Sequence, residues 1–154
     1  MGLEVLLSPE GVIPNLKARC KRDVLAAVAE TAAGIVDAPA DKILETLLER
    51  EQLGSTGVGD GVAIPHGKME GLSHIVGVLA RLEKPVDFDS LDDQPVDLVF
   101  LLLAPANATA AHLKALAKVS RLLRDEDARA ALRGADTAEA LFAIAVSDQK
   151  PDAA

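Results

Sequence analysis

The chain has 154 residues, 49% of them hydrophobic and 26% charged, and its 24 acidic side chains against 16 basic ones give a formal net charge of -8. That length fits one globular domain able to bury roughly two thirds of its unfolded surface. A single cysteine, Cys20, excludes an internal disulfide and fits a reducing compartment, while the acidic balance and the absence of Trp and Tyr argue against nucleic acid as a partner. The N-terminus MGLEVLLSPEGV lacks a basic region and nowhere do 18 uninterrupted apolar residues occur, so the expectation is a soluble, cytoplasmic protein without membrane insertion.

Val12 to Leu16 is a short apolar stretch interrupted by Pro14 and Asn15, which predicts an edge strand or an extended lead-in. From Lys21 to Ala33, the residues Val24, Ala27, Val28 and Ala32 share one helical face, and Gly34 ends the helix. Asp37 and Pro39 start a second helix with the apolar stripe Ile43, Leu44, Leu47 and Leu48. Leu53 to Gly61 is too rich in glycine for a helix and reads as a loop. It leads into Val62 to Lys68, a short strand stopped by Pro65, with His66 at its end. His74 to Leu82 predicts another strand, and VDLVFLLL from Val96 to Leu103 predicts one buried on both faces. Between them, Glu83 to Pro95 reads as a turn-rich acidic connector. Helical periodicity returns at Leu113, Leu116, Val119 and Leu123. Asp125 then opens a helix ended by Gly134, and Thr137 caps a last one that turns Leu141, Ile144 and Ala145 inward.

A sheet buried on both faces needs helices on both faces. The element order therefore predicts an α/β fold, a three-layer α/β/α sandwich with a small mixed central sheet flanked by helices on both faces. The expected domain covers residues 1–146, and residues 147–154 are expected to form a flexible C-terminal tail.

Spacing argues against several chemistries. Gly61 to Gly67 has five intervening residues where a P-loop has four, and Met69 replaces the hydroxyl that would bind magnesium. Gly57-Val58-Gly59-Asp60-Gly61 does not satisfy the dinucleotide fingerprint, and around Ser55 the nucleophile elbow lacks its first glycine. The histidines lie eight and thirty-eight residues apart, so a metal site would exist only if folding assembled it; neither metal nor cofactor is expected. The acidic run Asp87, Asp89, Asp92 and Asp93 lacks the glycine of a calcium loop and reads as a solvated connector.

Of the three histidines, His66 is the reachable one: Pro65 stiffens the chain before it and Gly67 lets ligands and backbone amides approach after it. A lone histidine is nonetheless more often non-catalytic. His74, at the start of an apolar strand, keeps that reading. His112 lies near a helix N-terminus, where the dipole disfavours an imidazolium and favours a bound anion, but alone it is a surface or cap residue. By themselves, Arg50 is a solvated charge at a helix C-terminus, Ser55 and Thr56 are loop hydroxyls, and Cys20 is a small hydrophobe.

The segment Leu48 to Lys68, with R-E-x-x-G-S-T-G at Arg50 to Gly57 and I-P-H-G-K at Ile64 to Lys68, closely resembles the signature of the fructose/mannitol-type IIA components of the bacterial phosphotransferase system. Pro95 to Pro105 and His112 to Ala117 are similar to that family too, and the resemblance runs over residues 3–146. With Leu7-Ser8-Pro9-Glu10, Val12 and Asn15-Leu16-Lys17-Ala18 near its start and no room for another domain, the chain resembles the nitrogen-regulatory branch. Sugar-transporting relatives are often fused to further domains. Cys20, before Lys21-Arg22, departs from the small polar residue that relatives often carry.

The resemblance implies a histidine-phosphorylated regulatory phosphocarrier. His66 would accept a phosphoryl group on its Nε2 side from a histidine phosphocarrier protein (HPr-like), through a phosphohistidine intermediate and without metal or nucleotide. His112 would donate a hydrogen bond, Arg50 would stabilise charge, and Ser55, Thr56, Gly67 and Lys68 would support the phosphate. Regulatory partners such as potassium transport systems or sensor kinases are implied. Other readings are a sugar-specific IIA subunit passing phosphate to a IIB domain, a zinc-dependent hydrolase using His66 and His112, and a binding module that is not phosphorylated. Phosphoryl transfer relies on positioning and on neutralising charge, so Arg50, His112 and backbone amides must make a local positive pocket that the net charge of -8 does not show.

Overall fold

The computed structural model describes residues 2–147, so all but the first residue of the expected tail lies outside the described residues. The elements in chain order are β1 (Val12–Leu16), α1 (Lys21–Ala33), α2 (Ala40–Gln52), β2 (Gly57–Gly59), β3 (Val62–Ala63), β4 (His66–Met69), β5 (Val76–Val86), β6 (Val96–Pro105), α3 (Thr109–Arg124), α4 (Glu126–Gly134) and α5 (Ala138–Val146), with short 3-10 turns at Leu3–Val5 and Pro9–Gly11. No described helix is long and apolar enough to cross a membrane.

The strand order is β1-β5-β6-β3-β2, with β4 also paired to β6. β5 and β6 are antiparallel, whereas β1 on β5 and both β3 and β4 on β6 are parallel, which makes the sheet mixed as expected. β6 occupies the centre because it can be buried on both sides. Within its continuous apolar run, Val99, Leu101 and Leu103 pack with α1 and α2 residues such as Val28, Ile43 and Leu47. Leu98, Phe100 and Leu102 pack on the other side with residues of α3 to α5 such as Val119, Leu132 and Leu141. The period-two alternation of a strand thus divides one hydrophobic run between two cores, giving the predicted three-layer sandwich.

The helix boundaries follow the expected signals. The Asp125 carboxylate accepts the Asp127 N–H at 3.3 Å and the Thr137 hydroxyl accepts the Ala140 N–H at 3.1 Å, each satisfying an otherwise orphan donor. Gly34 closes α1, and Pro39 precedes α2. β1 is an edge strand, where Pro14 is tolerated.

Four expectations need correction. The Leu53 to Gly61 segment is not all loop: β2 and β3 form an antiparallel hairpin, turned by Asp60 (φ 58°) and Gly61 (φ 79°). Two positive φ angles in a two-residue connection mark the Asp-Gly turn whose twist matches flanking strands. Val62 to Lys68 is two strands interrupted at Ile64-Pro65, since Pro65 has no N–H for the ladder. Both pieces keep one register on β6, Ala63 opposite Val99 and His66 opposite Leu102, so His66 begins the second piece. β5 starts at Val76 and continues to Val86, leaving His74 before it and taking Glu83 to Val86 from the connector. Finally, Val119 and Leu123 of α3 are buried and Leu116 packs against the same core as expected, but Leu113 is exposed and His112 takes the inward position in the first turn.

Candidate active site

Strand alternation aims the residues of β4. His66 lies opposite Leu102, which belongs to the core under α3, so its ring projects to that face, Gly67 faces α2 and Lys68 faces α3 again. The contacts agree: the His66 and His112 rings are 5.6 Å apart at 63°, Lys68 Nζ donates to the Thr109 hydroxyl at 3.1 Å, and a Cβ at Gly67 would come within 2.7 Å of Thr46 Cγ2 on α2. Gly67 is therefore a close-approach position. Gly67→Ala is expected to lower unfolding stability by about 1–3 kcal/mol. Denaturant titration should show most of that loss disappearing in the Thr46→Ser background, which removes the methyl; an undiminished penalty there contradicts the packing.

The tautomer of His66 follows from its neighbour. Nδ1 lies 2.8 Å from the Ile64 carbonyl oxygen, which can only accept, so Nδ1 carries the proton. In the neutral ring Nε2 then bears the lone pair. Arg50, in the last turn of α2, directs Nε at that nitrogen from 3.4 Å while its Nη1 donates to the Gly54 carbonyl at 2.9 Å. The half-buried imidazole thus presents its nucleophilic nitrogen beside a guanidinium.

His112, only 6% exposed, is placed by α3 at the same spot. Its Nε2 is buried and makes no hydrogen bond. A buried unmade hydrogen bond costs about 1–3 kcal/mol, so a partner reaching that nitrogen would relieve it. Burial first, and then the positive charge available to His66 and Lys68, hold the His112 pKa below its ordinary value. That direction favours the neutral ring, which has one N–H to donate.

Arg50, His66 and His112 thus converge, with Lys68 and Gly67 adjoining. Ser55 and Thr56 stand differently. The Ser55 hydroxyl donates to the Phe88 carbonyl at 2.5 Å and accepts the Gly57 N–H at 2.9 Å, and the Thr56 hydroxyl donates to Glu51. Both are engaged in holding the loop. Among the described residues no three His, Cys, Asp or Glu side chains gather as a metal-binding set. Cys20 is exposed ahead of α1, not a packed hydrophobe.

Residues 5–147 match the family described as phosphoenolpyruvate-dependent sugar phosphotransferase system, EIIA 2. The chain belongs to this family. It is 49% identical over 144 residues to a nitrogen regulatory protein of Bradyrhizobium diazoefficiens, covering 94% of each chain. The solved nitrogen regulatory protein IIA-Ntr of Neisseria meningitidis superposes with a TM-score of 0.89 at 33% identity, over 94% of this chain and 99% of that one. The mannitol IIA protein of Escherichia coli, solved in complex with phosphorylated mannitol IIB, shares the fold at a TM-score of 0.74 and 21% identity, covering 90% and 97%. The likeness to the two nitrogen regulatory proteins places the EIIA 2 chain in the nitrogen-regulatory branch.

Four residues at this EIIA 2 site escaped the sequence reading. Ile64 acts through its carbonyl, which no side-chain pattern shows. Thr46 is read only from the missing Cβ of Gly67. Glu51 and Lys21 form an ion pair at 2.7 Å beneath the loop, and their signal is a charge at the unfavourable end of each helix.

The depressed pKa of His112 fixes a sign. Below the ordinary histidine value near 6.5 the unfolded chain takes up a proton that folded His112 refuses, so its contribution to stability is full above that value and falls as pH drops toward the folded pKa. Denaturant midpoints of the wild type and His112→Gln, compared between pH 7.5 and 5 (about the histidine range), should show the wild type losing more stability on acidification. Parallel pH dependences contradict the assignment.

Proposed function

We propose that this EIIA 2 chain is a cytoplasmic, histidine-phosphorylated regulatory phosphocarrier, taking its phosphoryl group on Nε2 of His66 from the phosphohistidine of a histidine phosphocarrier protein. The single observation that carries the reading is the His66 ring: Nδ1 is tied to Ile64, and Nε2 faces Arg50. In the transfer, the bond from phosphorus to the donor imidazole breaks, its electron pair returns to the donor ring, and the His66 lone pair forms the new bond to phosphorus. Phosphorus passes between two like nitrogens, so the step balances without a further reactant. Arg50 and neutral His112 would donate to the oxygens on which charge concentrates, with Lys68 nearby.

The result is a switch. Phosphorylation would add about -1.5 to -2 charge to a chain whose net charge is already -8. Likeness to nitrogen regulatory proteins favours output to regulatory partners, potassium transport systems or sensor kinases, over passing the group to a sugar-specific IIB domain. Incubation with phosphorylated phosphocarrier, followed by mapping of the label, tests the reading. It predicts acid-labile label on the peptide containing His66; acid-stable label, or label on another peptide, overturns it.

A further inference from the structure

Glu51, Lys21 and Thr56 take no part in the proposed chemistry, yet they form a partly buried charged cluster. Glu51 lies in the last turn of α2 and Lys21 is the first residue of α1, so each charge sits at the helix end where the macrodipole disfavours it. Their side chains are only 6% and 21% exposed. Charges so shielded are kept only with full compensation. Glu51 receives it from three donors: Lys21 Nζ at 2.7 Å, the Thr56 N–H at 3.2 Å and the Thr56 hydroxyl. Lys21 also reaches the Phe88 carbonyl at 3.4 Å and Asp89 at 3.7 Å, and lies 5.2 Å from the centre of the Phe88 ring.

What this cluster holds is the turn that carries Arg50. Arg50 bonds the Gly54 carbonyl, and its neighbour Glu51 bonds Thr56 two residues further on, so the loop leaving α2 is fastened to the helix end twice. An arginine side chain has many rotamers, and a donor contributes fully to a transition state only when already in place. We propose that Glu51, held by Lys21, is a positioning residue for phosphoryl transfer: it locks the end of α2 and the loop to Thr56 so that Arg50 stays directed at Nε2 of His66. The inference rests on His66 being the phosphoryl acceptor.

Single-turnover transfer from phosphorylated phosphocarrier, measured across donor concentrations, tests it together with the Arg50 Nε–H resonance. Glu51→Gln is expected to lower the maximal rate about tenfold, or about 1.4 kcal/mol, to leave the half-saturating donor concentration within about twofold, and to shift the Arg50 resonance. The double variant Lys21→Glu with Glu51→Lys separates positioning from stability. Its charges suit both helix dipoles, while a carboxylate at position 21 meets Asp89 and the Phe88 carbonyl, so its rate is read where its denaturant midpoint shows it folded; a lysine at position 51 cannot accept from Thr56 and transfer should stay slow. Wild-type transfer rates in Glu51→Gln or in the reversed pair overturn the positioning role. Failure of the wild type to label at His66 is a separate result that removes the functional reading and this inference with it.

Discussion

His66→Ala is expected to take up no acid-labile phosphoryl group from phosphorylated phosphocarrier while remaining folded. The substitution removes the only imidazole whose Nε2 faces a guanidinium among the described residues. Neither other histidine replaces it. His112 is buried, with its Nε2 shielded from solvent, and His74 is exposed with Nδ1 beside the Ser73 hydroxyl at 3.0 Å. Loss of the bond to Ile64 is worth about 0.5–1.5 kcal/mol, so the thermal transition should move by only a few degrees, about what such a change produces in a domain of this size. Acid-labile label persisting in His66→Ala at either remaining histidine contradicts the assignment.

Arg50→Ala is expected to slow transfer by about 10²–10³-fold, the usual cost of one preorganised donor to a developing anion. Arg50→Lys should recover only part of it. The guanidinium uses Nη1 on the Gly54 carbonyl and Nε on His66 at once, and an ammonium is a point charge without that fork. Single-turnover rates for the three proteins decide the matter. A lysine variant as fast as the wild type would mean that charge alone suffices.

Much of the layer architecture was legible because it depends on local pattern. The helices α1, α2, α4 and α5 follow from apolar spacing and from Gly34, Pro39, Asp125 and Thr137 at their ends. The run Val96 to Leu103 announced a strand covered twice, but only the pleat divides Leu101 from Leu102 between two cores. The Asp60-Gly61 turn was available as a hairpin signal and was masked by the surrounding glycines. On α3 the pattern held at Leu116, Val119 and Leu123 and misled only in the first turn, where Leu113 satisfies the apolar period while His112 occupies the buried position.

The site divides similarly. His66 stands out locally between Pro65 and Gly67, but its companions come from α2 and α3 and meet it only through the register of β4 on β6. The Ser55 and Thr56 hydroxyls looked like ligands for a phosphate because hydroxyls in glycine-rich loops so often are. Their bonds, to Phe88 in the 87–93 segment and to Glu51 on α2, are made only once the loop has packed. Asp92 in that segment shows the same dependence: it accepts the Asp60 and Gln94 N–H groups, chiefly the former, which hold its carboxyl below the usual range and fasten the hairpin turn.

Under the proposed function, one defined nitrogen of one histidine, Nε2 of His66, attacks phosphorus. Nitrogen-15 and phosphorus-31 NMR of the phosphorylated protein, labelled in its histidines, reads that nitrogen directly. The predicted result is phosphorus bonded to Nε2 of His66 with Nδ1 still protonated against Ile64; phosphorus on Nδ1, or on any other residue, would contradict it.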